Sequence, residues 1–258
     1  MAEQAKILCA EAVENNLSEK VLNERWARWY TCRLCEQRYH GVVMCALGWA
    51  CWKTYAGRPE DDQVQGMAMS QLGNGLFDAK HYEDALPVQE AELSRYRRLG
   101  APAEHVHCTQ INLANTYGEL GHLEKALSME QEVYSGRLKL HGDQHEKTLT
   151  AATNCASSLA DLERFEEARA LLRKTLPVAQ RVLGENDMTT LNLRGIYGAT
   201  LHKDPASTLD DLREAATTLE EAERVARRVL GASHPVTLAI GNHLRNARAA
   251  LRARETPL

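Results

Sequence analysis

The sequence predicts an all-α protein, a solenoid of helical hairpins, from three sets of regularly spaced small residues and from the helical spacing of the apolar residues between them. Four glycines end similar segments at intervals of 42, 42 and 47 residues: Gly100, Gly142, Gly184 and Gly231. Three alanines recur at intervals of 41 and 42 in HYEDAL, HLEKAL and RFEEAR: Ala85, Ala126 and Ala168. A second small residue lies twelve positions before each alanine: Gly73, Ala114 and Ala156. Such a period is the signature of stacked supersecondary units.

The register divides the chain into three predicted regions. Residues 1–57 hold N-terminal helices and a degenerate leading repeat, residues 58–231 hold repeats of about 42 residues, and residues 232–258 hold a C-terminal capping helix and tail.

The leading repeat is predicted because the register extends back into the N-terminal region. Tyr39 precedes Gly57 by 18 residues, the separation found between equivalent residues of the next unit. In that register Val42 takes the position of a landmark alanine. We therefore expect a first helix over residues 23–37 and a second over 42–55, with the cysteines as small helical residues.

A second interpretation applies to residues 32–45, which read CRLCEQRYHGVVMC and have the spacing of a zinc knuckle. Tetrahedral Zn²⁺ takes four nitrogen or sulfur ligands. Here the candidates are Cys32, Cys35, His40 and Cys45. The glycines of a knuckle are absent, so we favour the helical interpretation and expect no bound zinc, keeping zinc as the alternative. A thioredoxin-like redox pair is disfavoured because no strand precedes the CxxC.

The four tryptophans lie within 27 residues and form two pairs at i, i+3 spacing: Trp26, Trp29, Trp49 and Trp52. Each pair is expected on one helix face. The favoured interpretation is an aromatic core between the first helices. The alternative is a dimer or partner face, since tryptophan is enriched at interface hot spots.

Each central unit is predicted to be a helical hairpin. Apolar residues from Ile111 to Leu138 follow helical spacing, and Gly121 and His122 break the pattern between a shorter and a longer helix. The small landmark residues let two antiparallel helices approach to about 8 to 9 Å. The fourth unit carries about five extra residues in KDPASTLDD at 203–211, and residues 235–254 form one amphipathic helix without a partner.

These residues resemble the tetratricopeptide repeat, which has the same order of small residue, Tyr or Leu, acidic pair, Ala and Leu. The 42-residue length, the VLG endings, the GxxHP turn at 231–235 and NLA at 112–114 resemble the repeats of kinesin light chains in particular. The resemblance covers roughly residues 66 to 254. It implies a fold in which the first helix of each unit lines a concave surface.

The resemblance also implies where a peptide would bind. The groove candidates on the first helices are Asn74, Asp78, Asn115, Glu119, Ser157 and Asp161, and Asn112 and Asn154 join them because an amide can pair with an extended backbone. The three acidic candidates occupy equivalent places in successive units, so we expect a stripe of negative potential that ends near Lys203.

Composition excludes several functional classes. The net charge of −4 and pI near 6.2 give no basic footprint for nucleic acid, and no apolar run reaches the length of a membrane span. The N-terminus lacks the pattern of a secretory signal, and seven cysteines suit reduced thiols, so we expect a cytoplasmic protein. No nucleotide-binding, hydrolase or metalloprotease motif occurs, and neither catalysis nor a cofactor is expected.

The sequence therefore predicts a non-enzymatic scaffold for protein interactions that binds a basic or polar extended peptide in a concave groove. Two alternatives remain: a zinc-containing adaptor with an N-terminal CCHC-type module, and a structural subunit that dimerises through the tryptophan region. The sequence leaves the partner and the oligomeric state open.

Overall fold

The computed structural model describes residues 1–255, apart from the side chains of Val13 and Glu19; the predicted tail at 256–258 lies outside this range. The described chain has twelve α-helices, with no strand beyond an isolated bridge between Thr31 and Arg38. The helices are α1 (Ala2–Glu14), α2 (Glu19–Trp26), α3 (Gly41–Tyr55), α4 (Gln63–Asp78), α5 (Tyr82–Arg98), α6 (Ala103–Glu119), α7 (Leu123–His141), α8 (Glu146–Asp161), α9 (Phe165–Val182), α10 (Met188–Lys203), α11 (Leu209–Val229) and α12 (Pro235–Glu255). The all-α prediction is confirmed.

The four landmark glycines follow the ends of α5, α7, α9 and α11. Their φ angles lie between 63° and 92°, in the left-handed region that favours glycine. A helix stops where its next residue takes this conformation, so the repeated glycine sets the length of every second helix. The landmark alanines are at most 3% exposed, as close helix packing requires.

The chain forms two compact units, Met1–His122 and Leu123–Leu258. Unit 1 contains α1 to α6, and unit 2 contains α7 to α12. No helix within residues 1–255 is long and apolar enough to cross a membrane.

The predicted first helix at 23–37 is wrong. Helix α2 ends at Trp26, a turn of 3₁₀ helix covers Ala27–Trp29, and residues 30–40 form a tight hairpin closed by the bridge between Thr31 and Arg38. The predicted second helix is present as α3, but Val42 is 76% exposed instead of buried. The repeat register therefore does not run through this segment.

An aromatic cluster forms the core at the start of unit 1. Trp26 and Trp29 are buried, and their rings lie 5.6 and 6.1 Å from that of Tyr55, close enough for edge and tilted ring contacts. Trp52 is half-buried against the same cluster. The core interpretation therefore holds for these three tryptophans, whereas Trp49 is 44% exposed.

Helices α3 and α4 approach through glycines. A Cβ on Gly75 would lie 2.8 Å from the carbonyl oxygen of Met44, and one on Gly48 would lie 2.9 Å from that of Gln71. Because each missing side chain faces backbone, the two helices pack closer than any residue with a Cβ would allow.

The core of unit 2 is built from leucines and alanines of α7 to α12. A buried polar network links this core to the connection before α11. Arg169 on α9 donates from Nη2 to Asp204 Oδ2 at 2.8 Å and to Ser207 Oγ at 2.7 Å. Both acceptors belong to the extra residues of the fourth unit, so the longer connection is fixed to the core.

Candidate binding grooves

A groove in unit 2 lies between α8, α10 and α12, a set of helices that alternate in the chain with α9 and α11. It encloses a cavity of about 340 Å³. The floor is apolar and includes Gly195, Ile196, Ala199 and Ile240. A Cβ at Gly195 would lie 3.1 Å from Ile240 Cγ1, so the glycine admits the isoleucine side chain to the floor.

Polar groups surround this floor. Ser157 and Asp161, both groove candidates from the sequence, line the cavity, while Asn154 is half-buried and is not among the lining residues. The sequence reasoning missed Asn192 and His243, which also line it. Their positions follow from the repeat, because α10 and α12 occupy the same structural role as α8.

A histidine pair lies at the groove. His202 Nε2 is 3.2 Å from His243 Nδ1. Burial first, and then the neighbouring His243 and Lys203, lower the pKa of His202 to about 4. Burial and Lys203 also lower the pKa of His243, while Asp161 acts in the opposite direction. Both imidazoles are therefore neutral at pH 7.

Unit 1 has its own cavity of about 290 Å³. Asn74, Gln71 and Ser70 of α4 line it together with Tyr30 and Arg38 of the N-terminal hairpin. Asn74 Oδ1 accepts a hydrogen bond from Asn112 Nδ2 at 3.1 Å, so these two groove candidates are brought together. One face of this cavity is thus amide-rich.

The other unit 1 candidates differ in their surroundings. Asp78 Oδ2 accepts a hydrogen bond from the Gly41 amide at 2.5 Å and Asp78 Oδ1 lies 3.7 Å from His40 Nδ1, so the carboxylate holds the start of α3. Glu119 is exposed and contacts the hydroxyl of Tyr82, whose pKa is raised by burial and then by this carboxylate. Asn115 is exposed.

The charges in the two cavities are mixed. Lys203 lines the same cavity as Asp161, and Arg38 lines the unit 1 cavity. Lys203 was expected only at the end of a negative stripe, and Arg38 was not expected in the groove. The sequence could not place Arg38, because the hairpin that carries it lies outside the repeat.

The four candidate zinc ligands lie in three different places. Cys32 and Cys35 are in contact on the hairpin, His40 faces Asp78, and Cys45 packs on α3 against the cluster of Leu72, Leu76 and Ala85. Within the described residues no group of three or more His, Cys, Asp or Glu side chains is arranged to hold a metal ion. The absence of bound zinc stays a prediction.

Comparisons with known proteins agree with this architecture. The sequence model of the tetratricopeptide repeat matches residues 109–146 and 148–187. No curated protein matches the sequence.

Solved structures share the fold at low identity. A kinesin light chain-like protein of Podospora anserina with nearly identical TPR-like repeats is 18% identical, with a TM-score of 0.60 over 73% of this chain and 87% of its own. BtubC (BKLC) from P. vanneervenii is 14% identical, with a TM-score of 0.55 over 83% of this chain and 92% of its own.

A Rap protein complexed with competence and sporulation factor is 12% identical, with a TM-score of 0.50 over 98% of this chain and 66% of its own. The repeat match over residues 109–187 and the shared architecture confirm the predicted fold, a solenoid of tetratricopeptide-type repeats similar to those of the kinesin light chain-like structures.

Proposed function

We propose that the protein is a non-enzymatic scaffold that binds an extended peptide segment of another protein. The observation that carries the proposal is the unit 2 groove, in which helices of three successive repeats combine an apolar floor with Ser157, Asp161, Asn192 and Lys203 at its edge. An apolar pocket ringed by a few polar groups is the usual form of a ligand site.

The groove chemistry suggests the kind of peptide. An apolar side chain would fill the floor, while the Asn192 amide would pair with the peptide backbone. Asp161 would attract a basic residue and Lys203 an acidic one, which fixes the direction of the peptide. The peptide is therefore polar around one apolar anchor, with a basic residue toward Asp161 and an acidic residue toward Lys203. The proposal is supported by a structural neighbour, a Rap protein, that was solved in complex with competence and sporulation factor.

The test is selection of random peptides on the immobilised full chain, followed by binding to two matched variants. Ala239 and Ala249 are both exposed on α12, but only Ala239 lines the cavity. We expect Ala239→Phe to lower the affinity of the selected peptides by about tenfold, or ~1.4 kcal/mol. Ala249→Phe should leave it unchanged.

A further variant tests the charge preference. Asp161→Asn should weaken peptides that carry Lys or Arg beside the anchor, and the loss should shrink as salt is raised. Peptides that bind Ala239→Phe as tightly as the parent would place the binding surface elsewhere.

A cytoplasmic location and the absence of nucleic-acid partners stay predictions.

A further inference from the structure

The N-terminal hairpin over residues 30–40 holds two cysteines in a defined geometry. The amide of Cys32 donates to the carbonyl of Gln37 at 2.8 Å, and the amide of Glu36 donates to the carbonyl of Cys32 at 2.9 Å. Glu36 takes a φ of 57°, which closes the turn. The turn brings the Cys35 thiol into hydrogen-bond contact with the Cys32 sulfur.

The hairpin also surrounds the Cys32 sulfur with donors. The backbone amides of Cys35 and Leu34 both donate to it, and the Tyr39 hydroxyl is in contact with it. These amide hydrogen bonds, the Cys35 bond first, lower the pKa of Cys32 to about 7. Amide donors stabilise a thiolate, which is the form of cysteine that attacks a disulfide.

The surroundings of Cys32 suit a small anionic reactant. Cys32 is half-buried and Cys35 is exposed, and Cys32 lines a cavity of about 180 Å³ with Arg28, Arg33 and Tyr39. The two guanidinium groups would attract carboxylates. Three other cysteines, Cys9, Cys51 and Cys155, are buried, and burial raises the pKa of each thiol.

We propose that Cys32 and Cys35 form a thiol–disulfide exchange site that takes small disulfides bearing carboxylates, with Cys32 as the attacking thiol and Cys35 as the resolving thiol. The site is separate from the proposed peptide groove of unit 2. It needs no thioredoxin-like strand, because the hairpin itself supplies the amide donors.

The reaction has two balanced steps. The Cys32 thiolate attacks one sulfur of the small disulfide, whose S–S bond breaks; one small thiolate leaves and takes up a proton, and a mixed disulfide remains on Cys32. Cys35 then loses its proton and attacks the Cys32 sulfur, the mixed bond breaks, and the second small thiol leaves. The protein dithiol has lost two electrons and the small disulfide has gained them.

The test exposes the full chain to glutathione disulfide at pH 7, once with and once without a chelator, and follows each cysteine by alkylation and mass spectrometry. We expect an intramolecular Cys32–Cys35 disulfide to form before Cys108, an exposed cysteine on α6, is modified. In Cys35→Ser the reaction should stop at a stable glutathione adduct on Cys32. In Cys32→Ser, modification of the remaining Cys35 should be slower than modification of the pair in the parent.

Two variants at one exposed position test the activation. Leu34 is 93% exposed, so replacing its side chain removes no packing. Leu34→Pro removes an amide donor to Cys32 and so leaves less of the thiolate at pH 7. Because the remaining thiolate is more basic and more nucleophilic, the rate constant should fall by only about threefold. Leu34→Ala keeps the amide and should react like the parent.

Three results would overturn the proposal. The first is that Cys108 is modified faster than Cys32. The second is that Cys35→Ser forms no glutathione adduct on Cys32. The third is that the pair reacts only after the chelator has removed a bound metal. The last result would instead assign the two thiolates to a metal.

Discussion

Arg169 shows how a single buried charge organises unit 2. Its side chain is 8% exposed and its partner Asp204 is equally buried, with Asp211 3.8 Å from Nη1. Removing one partner of a buried pair leaves an uncompensated charge, which costs more than the pair itself contributes.

We expect Arg169→Met to lower the free energy of unfolding by about 3 to 5 kcal/mol in denaturant titration. Adding Asp204→Asn to this variant should restore part of the loss, because the orphaned charge is then gone. Arg181→Met, an exposed change on the same helix, is the control and should shift stability by less than about 0.5 kcal/mol. Equal stability of the Arg169 and Arg181 variants would contradict a role for the network.

Two aspartates at equivalent repeat positions, Asp161 and Asp78, show how far individual site residues can be predicted from the sequence. The resemblance to the repeat family predicts Ser157 and Asp161 in the groove, and both line the cavity. Asp78 has the same repeat position, yet its carboxylate binds the amide of Gly41, which is 37 residues away. Such a contact leaves no local pattern, so the sequence could not separate these two aspartates.

At the scale of elements, the contact between α3 and α4 depends on glycine. Gly75→Ala would place a Cβ 2.8 Å from the Met44 carbonyl oxygen and 3.1 Å from the Cys45 Cα, so the backbone of α3 must move. We expect this variant to lose about 1 to 3 kcal/mol of stability through overpacking.

Gly118→Ala is the matched control in unit 1. Gly118 is also helical, and a Cβ there meets no atom within 4 Å. This variant should gain up to about 1 kcal/mol from helix propensity. Thermal melting distinguishes the two, and a Gly75→Ala variant as stable as Gly118→Ala would show that α3 and α4 adjust without strain.

The elements were predictable where the repeat governs them. Apolar spacing and the landmark glycines predicted the hairpins from α4 onward, because each helix there buries one face and stops at a left-handed residue. The hairpin at 30–40 was missed because its conformation depends on amide hydrogen bonds and on Glu36 in the left-handed region, and neither has a periodic signature.

At the scale of the whole molecule, one buried titratable group in each unit, Glu92 and His202, makes stability depend on pH in opposite directions. In unit 1, burial raises the pKa of Glu92 to about 7 from an ordinary 4.5. Folded Glu92 keeps a proton that the unfolded chain releases, so its contribution is lost as pH rises from 4.5 to 7. In unit 2, His202 has a lowered pKa, so its contribution is present above pH 6.5 and lost as pH falls toward 4.

Hydrogen exchange resolved by segment can measure both effects. Glu92→Gln should flatten the fall in unit 1 protection between pH 4.5 and 7. His202→Gln should remove part of the rise in unit 2 protection between pH 4 and 6.5. Burial also raises the pKa of Glu130 in unit 2, so Glu130 adds its own pH dependence to the protection of that unit. The contribution of His202 is therefore measured as the difference in protection between the parent and His202→Gln. Parallel profiles for parent and variant would contradict the assignment.

Two connections of unit 2, those before α8 and before α11, have different consequences for cutting and rejoining the chain. Residues 139–147 are exposed throughout, whereas in the connection before α11 Asp204 and Ser207 are buried and bound by Arg169, and Arg254 donates to the Ser207 carbonyl. Proteolysis, domain insertion and circular permutation need a backbone that can leave the surface without breaking buried hydrogen bonds. The connection around Gly142 meets that condition and the one at 204–208 does not, so anchoring rather than loop length decides where this protein accepts new termini.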